Sequence, residues 1–341
     1  TIMAATTGII GASVVMMTMM ALPTMLQQNY HKPLATGTIS ASATLGILIP
    51  PSIMLVVMAD LMAISVGDLF LGAIIPGLIL SGLYFIYLFV VGLRRPDWAP
   101  SLSRDEGPDD ARELIRLVLK GFVPPVVLIM MVLGSIFGGW ATPTEASGVG
   151  AFGAILLALF NRRLNWEALS DVCYRTALTS AMIFLIFLGA TSFSYIFRAL
   201  WGEDLIIEFI NHLDLGSWGL LILLMAVIFL LGFFFDWIEI TLIVLPVFTP
   251  IIAKLDLGGH VEGGDILIWF AILAAINLQT SFLTPPFGFA LFYMKGVAPP
   301  EIRMSHIYRG IVPFICLQLL GLAMVIAWPQ LALWAPNTFL E

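Results

Sequence analysis

Nine long apolar runs, separated by short polar breaks, leave this 341-residue chain little choice of solvent. They fall near 1–27, 34–59, 69–93, 114–137, 142–160, 176–197, 217–253, 266–298 and 311–333. A bilayer-spanning helix needs about 20 predominantly apolar residues, and most of the runs match that length. Only 11% of the chain is charged and 60% is hydrophobic, where a soluble chain would carry about a quarter charged residues. The expected fold is therefore an all-α polytopic membrane protein, and a water-soluble enzyme is excluded.

Function classes fall away in turn. A net charge of −7 and scattered basic residues exclude a nucleic-acid partner. Cys173 and Cys316 fit no metal or redox spacing and read as packing residues. His31, His212, His260 and His306 form no ligand pair at helical spacing, so no transition metal or organic cofactor is expected. No Gly-rich phosphate loop is present, so ATP chemistry is not expected. The chain opens at Thr1 already apolar, without a charged leader, and reads as internal to a longer sequence.

Lys and Arg set the orientation. The connections holding Arg94, Arg95, Arg104, Arg112, Arg116 and Lys120, and then Arg162, Arg163 and Arg175, are assigned to the cytoplasm, as are Lys32, Lys295, Arg303 and Arg309. Thirteen of the fifteen basic residues then lie inside, with Arg198 and Lys254 the exceptions. The acidic connection 198–216 lies outside. Residues 217–253 are too long for one crossing and too short for two, with Asp236-Trp237-Ile238-Glu239 in the middle. A re-entrant hairpin turning near the midplane solves this, and 266–298 then crosses once.

A repeated element carries the functional reading. Ser42-Ala43-Thr44-Leu45-Gly46-Ile47-Leu48-Ile49-Pro50-Pro51-Ser52 has a partner in Asn277-Leu278-Gln279-Thr280-Ser281-Phe282-Leu283-Thr284-Pro285-Pro286-Phe287, and the charge bias runs the two copies in opposite directions. Paired prolines remove two backbone donors and break the helix. Lipid cannot satisfy the released carbonyls, so each break must be buried in protein or face a cavity. Interrupted segments in inverted halves mark the midplane site of a secondary transporter. Released carbonyls suit Na⁺ and half-helix N-termini suit an anionic substrate.

At these residues the chain resembles the large, DctM-like subunit of tripartite ATP-independent periplasmic (TRAP) transporters. The motifs are Ala43 to Ser52, Gly72 to Pro76-Gly77, Gly139-Trp140-Ala141-Thr142-Pro143-Thr144-Glu145-Ala146, Gly232-Phe233-Phe234-Phe235-Asp236 and Leu283-Thr284-Pro285-Pro286-Phe287-Gly288. The resemblance implies a bacterial inner-membrane importer of small organic acids, coupled to Na⁺ and working by elevator-type movement of a transport domain against a scaffold. It implies two hairpins whose tips meet the broken helices, a small four-helix membrane subunit and a periplasmic substrate-binding protein as partners. It places the first hairpin tip at Gly8 to Val15, with one serine where two are common, leaving backbone carbonyls to serve. Further N-terminal helices of the family, including the first arm of that hairpin, are expected to precede Thr1.

The expected fold is thus an inverted-repeat secondary transporter with re-entrant hairpins and two Pro-Pro-broken helices. Residues 1–66 hold the second arm of the first hairpin and the first broken helix. Residues 67–216 are assigned to the scaffold with an amphipathic cytoplasmic connector at 94–121, residues 217–303 to the second hairpin and second broken helix, and residues 304–341 to a terminal scaffold helix. The first ion site draws on Gly11, Ala12, Ser13, Ser42, Thr44, Gly46 and Pro50. The second draws on Gly232, Phe235, Asp236, Gln279, Thr280, Thr284 and Pro285, and Ser40, Asn277 and Ser281 line the substrate path or bond to neighbouring helices. Asp236 either caps the second hairpin arm or lies near an ion, and Glu239 is expected to hold the hairpin by hydrogen bonds. Glu145 reads as the N3 residue of a capping box begun by Thr142, and the small residues after it as a close helix contact. Trp98, Trp140, Trp201, Trp218, Trp269, Trp328 and Trp334 read as an interfacial belt. The competing readings are a stand-alone Na⁺ or H⁺ carboxylate symporter, an intramembrane enzyme and a structural scaffold.

Overall fold

The computed structural model describes residues 10–100, 111–212, 215–286 and 288–339. All regular elements among them are helical. Six helices are long and apolar enough to cross a membrane by length and composition: α1 (Ile10–Gln27), α4 (Val66–Arg94), α5 (Ala111–Phe137), α6 (Pro143–Phe160), α7 (Trp166–Ala199) and α13 (Met304–Ala327). The chain divides into a unit of residues 1–101 with 193–341 and a second unit of residues 102–192.

In the first unit the breaks organise the packing. Helix α2 (Lys32–Thr44) tightens into one 3-10 turn (Leu45–Ile47), stops at Pro50-Pro51, and resumes as α3 (Ile53–Met62). Helix α11 (Ile266–Ser281) stops before Pro285-Pro286 and resumes as α12 (Phe289–Val297). The Pro-Pro bond at each break is cis. A helical hairpin, α9 (Ser217–Leu231) and α10 (Trp237–Ile252), occupies the stretch that was too long for one crossing. A short helix α8 (Gly202–His212) precedes it, and α14 (Gln330–Phe339) follows α13.

Helix α11 is the centre. Nearly every residue from Ile266 to Ser281 is buried, as an all-round apolar helix requires. Around it stand α3, α4, α9, α10, α13 and α14. Two packing patterns repeat. Helix α2 lies on α1 and α13, and α12 lies on α1, α2 and α13; α11 lies on α9 and α4, and α3 lies on α10, α11 and α4. The half-helix beyond the second break, α12, therefore rests on α1, and the one beyond the first, α3, rests on the hairpin arm α10.

Glycines permit the closest approaches. A Cβ on Gly37 would sit 2.1 Å from the Gly310 carbonyl oxygen, and one on Gly310 would sit 2.0 Å from that of Pro33, so α2 and α13 touch backbone to backbone. Gly77 of α4 faces Ile49 beside the first break, where an added Cβ would come within 2.9 Å. Such crossings suit membrane helices, whose association rests on van der Waals contact and interhelical hydrogen bonds.

In the second unit α5 packs on α6, with Gly153 against Leu128 and Gly150 against Val132. The capping box forms as expected: Glu145 Oε2 accepts from the Thr142 N–H at 2.8 Å, and Thr142 Oγ1 accepts from the Glu145 N–H at 3.3 Å. Three expectations are corrected. Lys120-Gly121 does not close a separate connector helix, because α5 runs unbroken from Ala111 to Phe137 and carries Pro124-Pro125 inside it; the connector's residues 101–110 lie outside the described part. Cys173 and Cys316 are exposed rather than packed. Trp269 is fully buried and donates Nε1–H to the Val325 carbonyl at 3.0 Å, so it is a core residue rather than part of a belt.

Gly37→Ala and Gly310→Ala are each expected to lower the stability of the detergent-solubilised protein by about 1–3 kcal/mol, the usual effect of overpacking. Gly82→Ala, on α4 with nothing within 4 Å of the added atom, is the matched control. Thermal unfolding of the three variants measures the difference.

Candidate functional site

The first break is stitched by a residue outside the expected ion sites. Ser52, the N-cap of α3, donates Oγ–H to the Ile47 carbonyl before the break and accepts from the Leu55 N–H beyond it at 3.4 Å. Residues 50 and 51 bring no N–H of their own, so one hydroxyl ties the ends that the prolines separate. A Ser directly after Pro-Pro and before an apolar helix is an N-cap signal, and it was readable in the sequence.

Thr44 ends α2 with its Oγ1–H on the Ala41 carbonyl at 3.0 Å, and Thr44, Gly46 and Pro50 are buried. Ser42 is half-buried. On α1 Ser13 is buried and Gly11 half-buried, whereas Ala12 is exposed and offers only backbone. Gly8 and Ile9 of the expected tip lie outside the described residues.

The second break is held differently. Hydroxyls fold back along α11: Thr280 Oγ1 on the Ile276 carbonyl, Ser281 Oγ on Leu278 and Thr284 Oγ1 on Thr280, each at 2.8 Å. Tyr308 of α13 donates to the Pro286 carbonyl at 3.0 Å. Phe287 lies outside the described residues. The hairpin turn presses directly on this break, since a Cβ on Gly232 would fall 1.9 Å from Ser281 Oγ. Asp236 caps α10, its Oδ1 accepting from the Trp237 N–H at 2.8 Å, and Phe235 is exposed.

Two residues meet expectations only in part. Asn277 spends its Nδ2–H on the Met225 carbonyl of α9 at 2.6 Å, the neighbouring-helix alternative. Glu239 leaves Oε2 buried without a hydrogen-bond partner among the described residues, so that oxygen does not hold the hairpin by a hydrogen bond.

Gln279 is fully buried, and neither amide atom has a hydrogen-bond partner among the described residues, a state it shares with Gln318 of α13. Residues 277 and 281, one turn apart, face the α9–α10 hairpin, so residue 279 points to the other side of α11. Leaving a buried amide unpaired is costly, about 1–3 kcal/mol.

The two broken helices also meet through α12. Ser40 of α2 donates Oγ–H to Met294 Sδ at 3.4 Å, and the Tyr293 ring lies 3.1–3.3 Å from where a Cβ on Gly11 would be. Tyr293 also lies within electrostatic range of Asp236 and Glu239. Sequence reasoning missed Tyr293, Met294 and Tyr308, because their roles rest on contacts between distant segments and leave no local signal.

A polytopic helical bundle with two proline-broken helices set against hairpins is the architecture of a membrane permease rather than of an enzyme. Residues 1–331 match the family described as the tripartite ATP-independent periplasmic transporter, DctM component. The C4-dicarboxylate TRAP transporter large permease protein DctM of Pseudomonas aeruginosa is 28% identical over 336 residues, covering 98% of this chain and 74% of that protein. The sialic acid TRAP transporter large permease protein SiaM of Vibrio cholerae is 28% identical, covering 94% and 71%. The ectoine TRAP transporter large permease protein TeaC of Halomonas elongata is 29% identical, covering 98% and 74%. The chain belongs to the DctM family, as a multi-pass inner-membrane permease component of a TRAP transporter.

Gly232→Ala is expected to cut transport sharply, because the new methyl meets the Ser281 side chain. Ser281→Gly in the same background removes both the Oγ and the Cβ that it meets and is expected to restore most of the loss. Uptake by the single and double variants tests whether the hairpin turn must seat on the second break.

Proposed function

We propose that this chain is the moving membrane component of a Na⁺-coupled, binding-protein-dependent importer of a small organic acid. The observation that carries the reading is that the two broken helices pack on one another, with α1 against one and the α9–α10 hairpin against the other, while the Gln279 amide beside the second break is fully buried without a protein partner among the described residues. Main-chain and hydroxyl oxygens at a break suit a hard monovalent cation, and the N-termini of α3 and α12 suit a carboxylate. On this reading Gly11, Ser13, Ser42, Thr44, Gly46 and Pro50 surround one Na⁺ position and Gly232, Asp236, Gln279, Thr280, Thr284 and Pro285 the other, with Ala12 and Phe235 contributing backbone. Ser40 and Ser281 face the substrate path. The repeated packing pattern supports two halves related by inversion in the membrane.

Cation binding at a junction of hairpin and break stabilises the closed arrangement, and the substrate then binds a preformed site. The carrier thus couples the two without phosphate chemistry. Helices α4 and α13, first assigned to the scaffold, move with the broken helices on this reading, because the Gly37–Gly310 crossing leaves no room for side chains to slide past one another. The relatives are named for different substrates, so the acid is chosen by the binding protein and site details rather than by the fold. The periplasmic binding protein delivers it, and the small membrane subunit supplies the rest of the scaffold.

Proteoliposomes holding the permease and its small subunit, supplied with the cognate binding protein and a panel of acids, are expected to accumulate substrate under an inward Na⁺ gradient and not under a K⁺ gradient. Thr44→Val and Gln279→Leu are each expected to lower Na⁺-driven uptake by about tenfold or more, the scale of losing a hydrogen-bonding group next to a charge. Equal uptake in both gradients would refute Na⁺ coupling.

One observation favours H⁺ in place of Na⁺: the buried, unpartnered Glu239 oxygen near Tyr293. That reading requires uptake driven by a pH gradient alone and abolished by Glu239→Gln.

A further inference from the structure

Four cations gather on one face of the first unit from segments far apart in sequence. Lys32, Arg303 and Arg309 all lie within electrostatic range of His306, while His306 and Arg95 act on His31. The connector after α4 folds back to make a layered support. The Trp98 indole stacks on His31 at 4.3 Å and 15°, and the Arg95 guanidinium lies 4.4 Å above the same indole. The Trp98 carbonyl accepts from the His31 N–H at 3.0 Å, which fixes the connector in place. Burial first, and then His306 and Arg95, hold the His31 imidazole below its ordinary range, so it stays neutral and the fixed cations dominate.

Among the described residues the carboxylates nearby are Glu301, 3.6 Å from Lys32, and Asp97, two residues from Arg95. Arg95, Arg303 and Arg309 are exposed, and no ion pair engages them among the described residues. Four cations against two carboxylates among the described residues leave a local surplus of positive charge there.

An apolar stripe leads to the same place. Phe85, Phe89 and Leu93, spaced four residues apart along α4, are 70%, 58% and 69% exposed, and Arg94 and Arg95 follow directly. Val312, just past Arg309 on α13, is 53% exposed. Both α4 and α13 are long enough to span the membrane, so the end of one and the start of the other stand at headgroup depth. A soluble phosphate would use the cations and leave the stripe idle. A lipid uses both.

We propose that this surface binds an anionic phospholipid, with the headgroup phosphate on Arg95, Arg303 and Arg309 and an acyl chain along Phe85, Phe89 and Leu93. Trp98 holds Arg95 ready by stacking, and Lys32 is shared with Glu301. Neither the transported acid nor the coupling ion enters this site.

The test uses the permease with its small subunit, purified into detergent with phosphatidylglycerol and phosphatidylethanolamine and examined by native mass spectrometry. The wild-type complex is expected to retain phosphatidylglycerol selectively. Each charge removed is expected to weaken retention about fivefold, so R95Q/R303Q/R309Q loses about a hundredfold. The charge-preserving R95K/R303K/R309K is expected to keep most of it, and Phe89→Ser to weaken retention with the cations intact. If the triple variant does not purify, R95Q and R309Q singly carry the same criterion. Equal retention by the charge-removed variants overturns the proposal. So does full competition by inorganic phosphate, which would mark a soluble-anion site, or loss of the small subunit in place of lipid, which would mark a protein interface.

Discussion

A peptide group in hydrocarbon has no water to bond, and everything unusual in this protein follows from breaking two helices under that constraint. Pro50-Pro51 and Pro285-Pro286 interrupt the α-helical ladder where the neighbours must take its place. The two breaks are held by different means. Ser52 bridges the first with one hydroxyl that both donates and accepts, while Thr280, Ser281, Thr284 and Tyr308 cover carbonyls around the second. Pro124-Pro125 shows the contrast: it lies within unbroken α5, so a proline pair alone does not end a helix. What distinguishes the other two pairs is their setting, with hydroxyl-rich approaches and hairpin arms against them.

Much of this was legible because it is local chemistry. The apolar runs gave the spans, the awkward length of 217–253 gave the hairpin, and Thr142-Pro143-Thr144-Glu145 gave a capping box that forms atom for atom. Asp236 capping α10 was one of two readings its position allowed. The remainder was hidden because it depends on pairs of residues rather than on windows. Nothing around Gly37 announces that Gly310 will meet it. Nothing around Tyr293 points to Gly11. Trp269 and the belt tryptophans look alike in sequence, and only the α13 carbonyl beside Trp269 separates them. The fusion of connector and span in α5 was missed for a related reason. Lys120-Gly121 is a good helix ending in water, but a helix entering lipid gains more by continuing than by exposing its carbonyls.

The crossing of α2 with α13 also bears on how such a protein divides into parts. Sequence order suggests a helix that stands with the scaffold, since it follows the second broken helix. Contact geometry argues the other way. Backbone touching backbone cannot be renewed at a new register unless glycines recur where needed, and α13 offers only Gly310 and Gly321, the latter facing Leu80 of α4.

The hydroxyls at the second break bear on coupling itself. A Ser or Thr bonded back to its own helix satisfies a carbonyl at little conformational cost, and a rotation about χ1 can redirect the same oxygen toward a cation. Ser281 sits where this matters most, bonded to Leu278 while its Oγ touches the hairpin at Gly232. Seating of that turn on α11 therefore limits the rotation of the Ser281 side chain. Gln279, two positions away, points to the opposite face of α11 with its amide buried. The two faces of α11 near this break therefore differ in chemistry, one pressed by the hairpin turn at Ser281 and the other carrying the buried Gln279 amide.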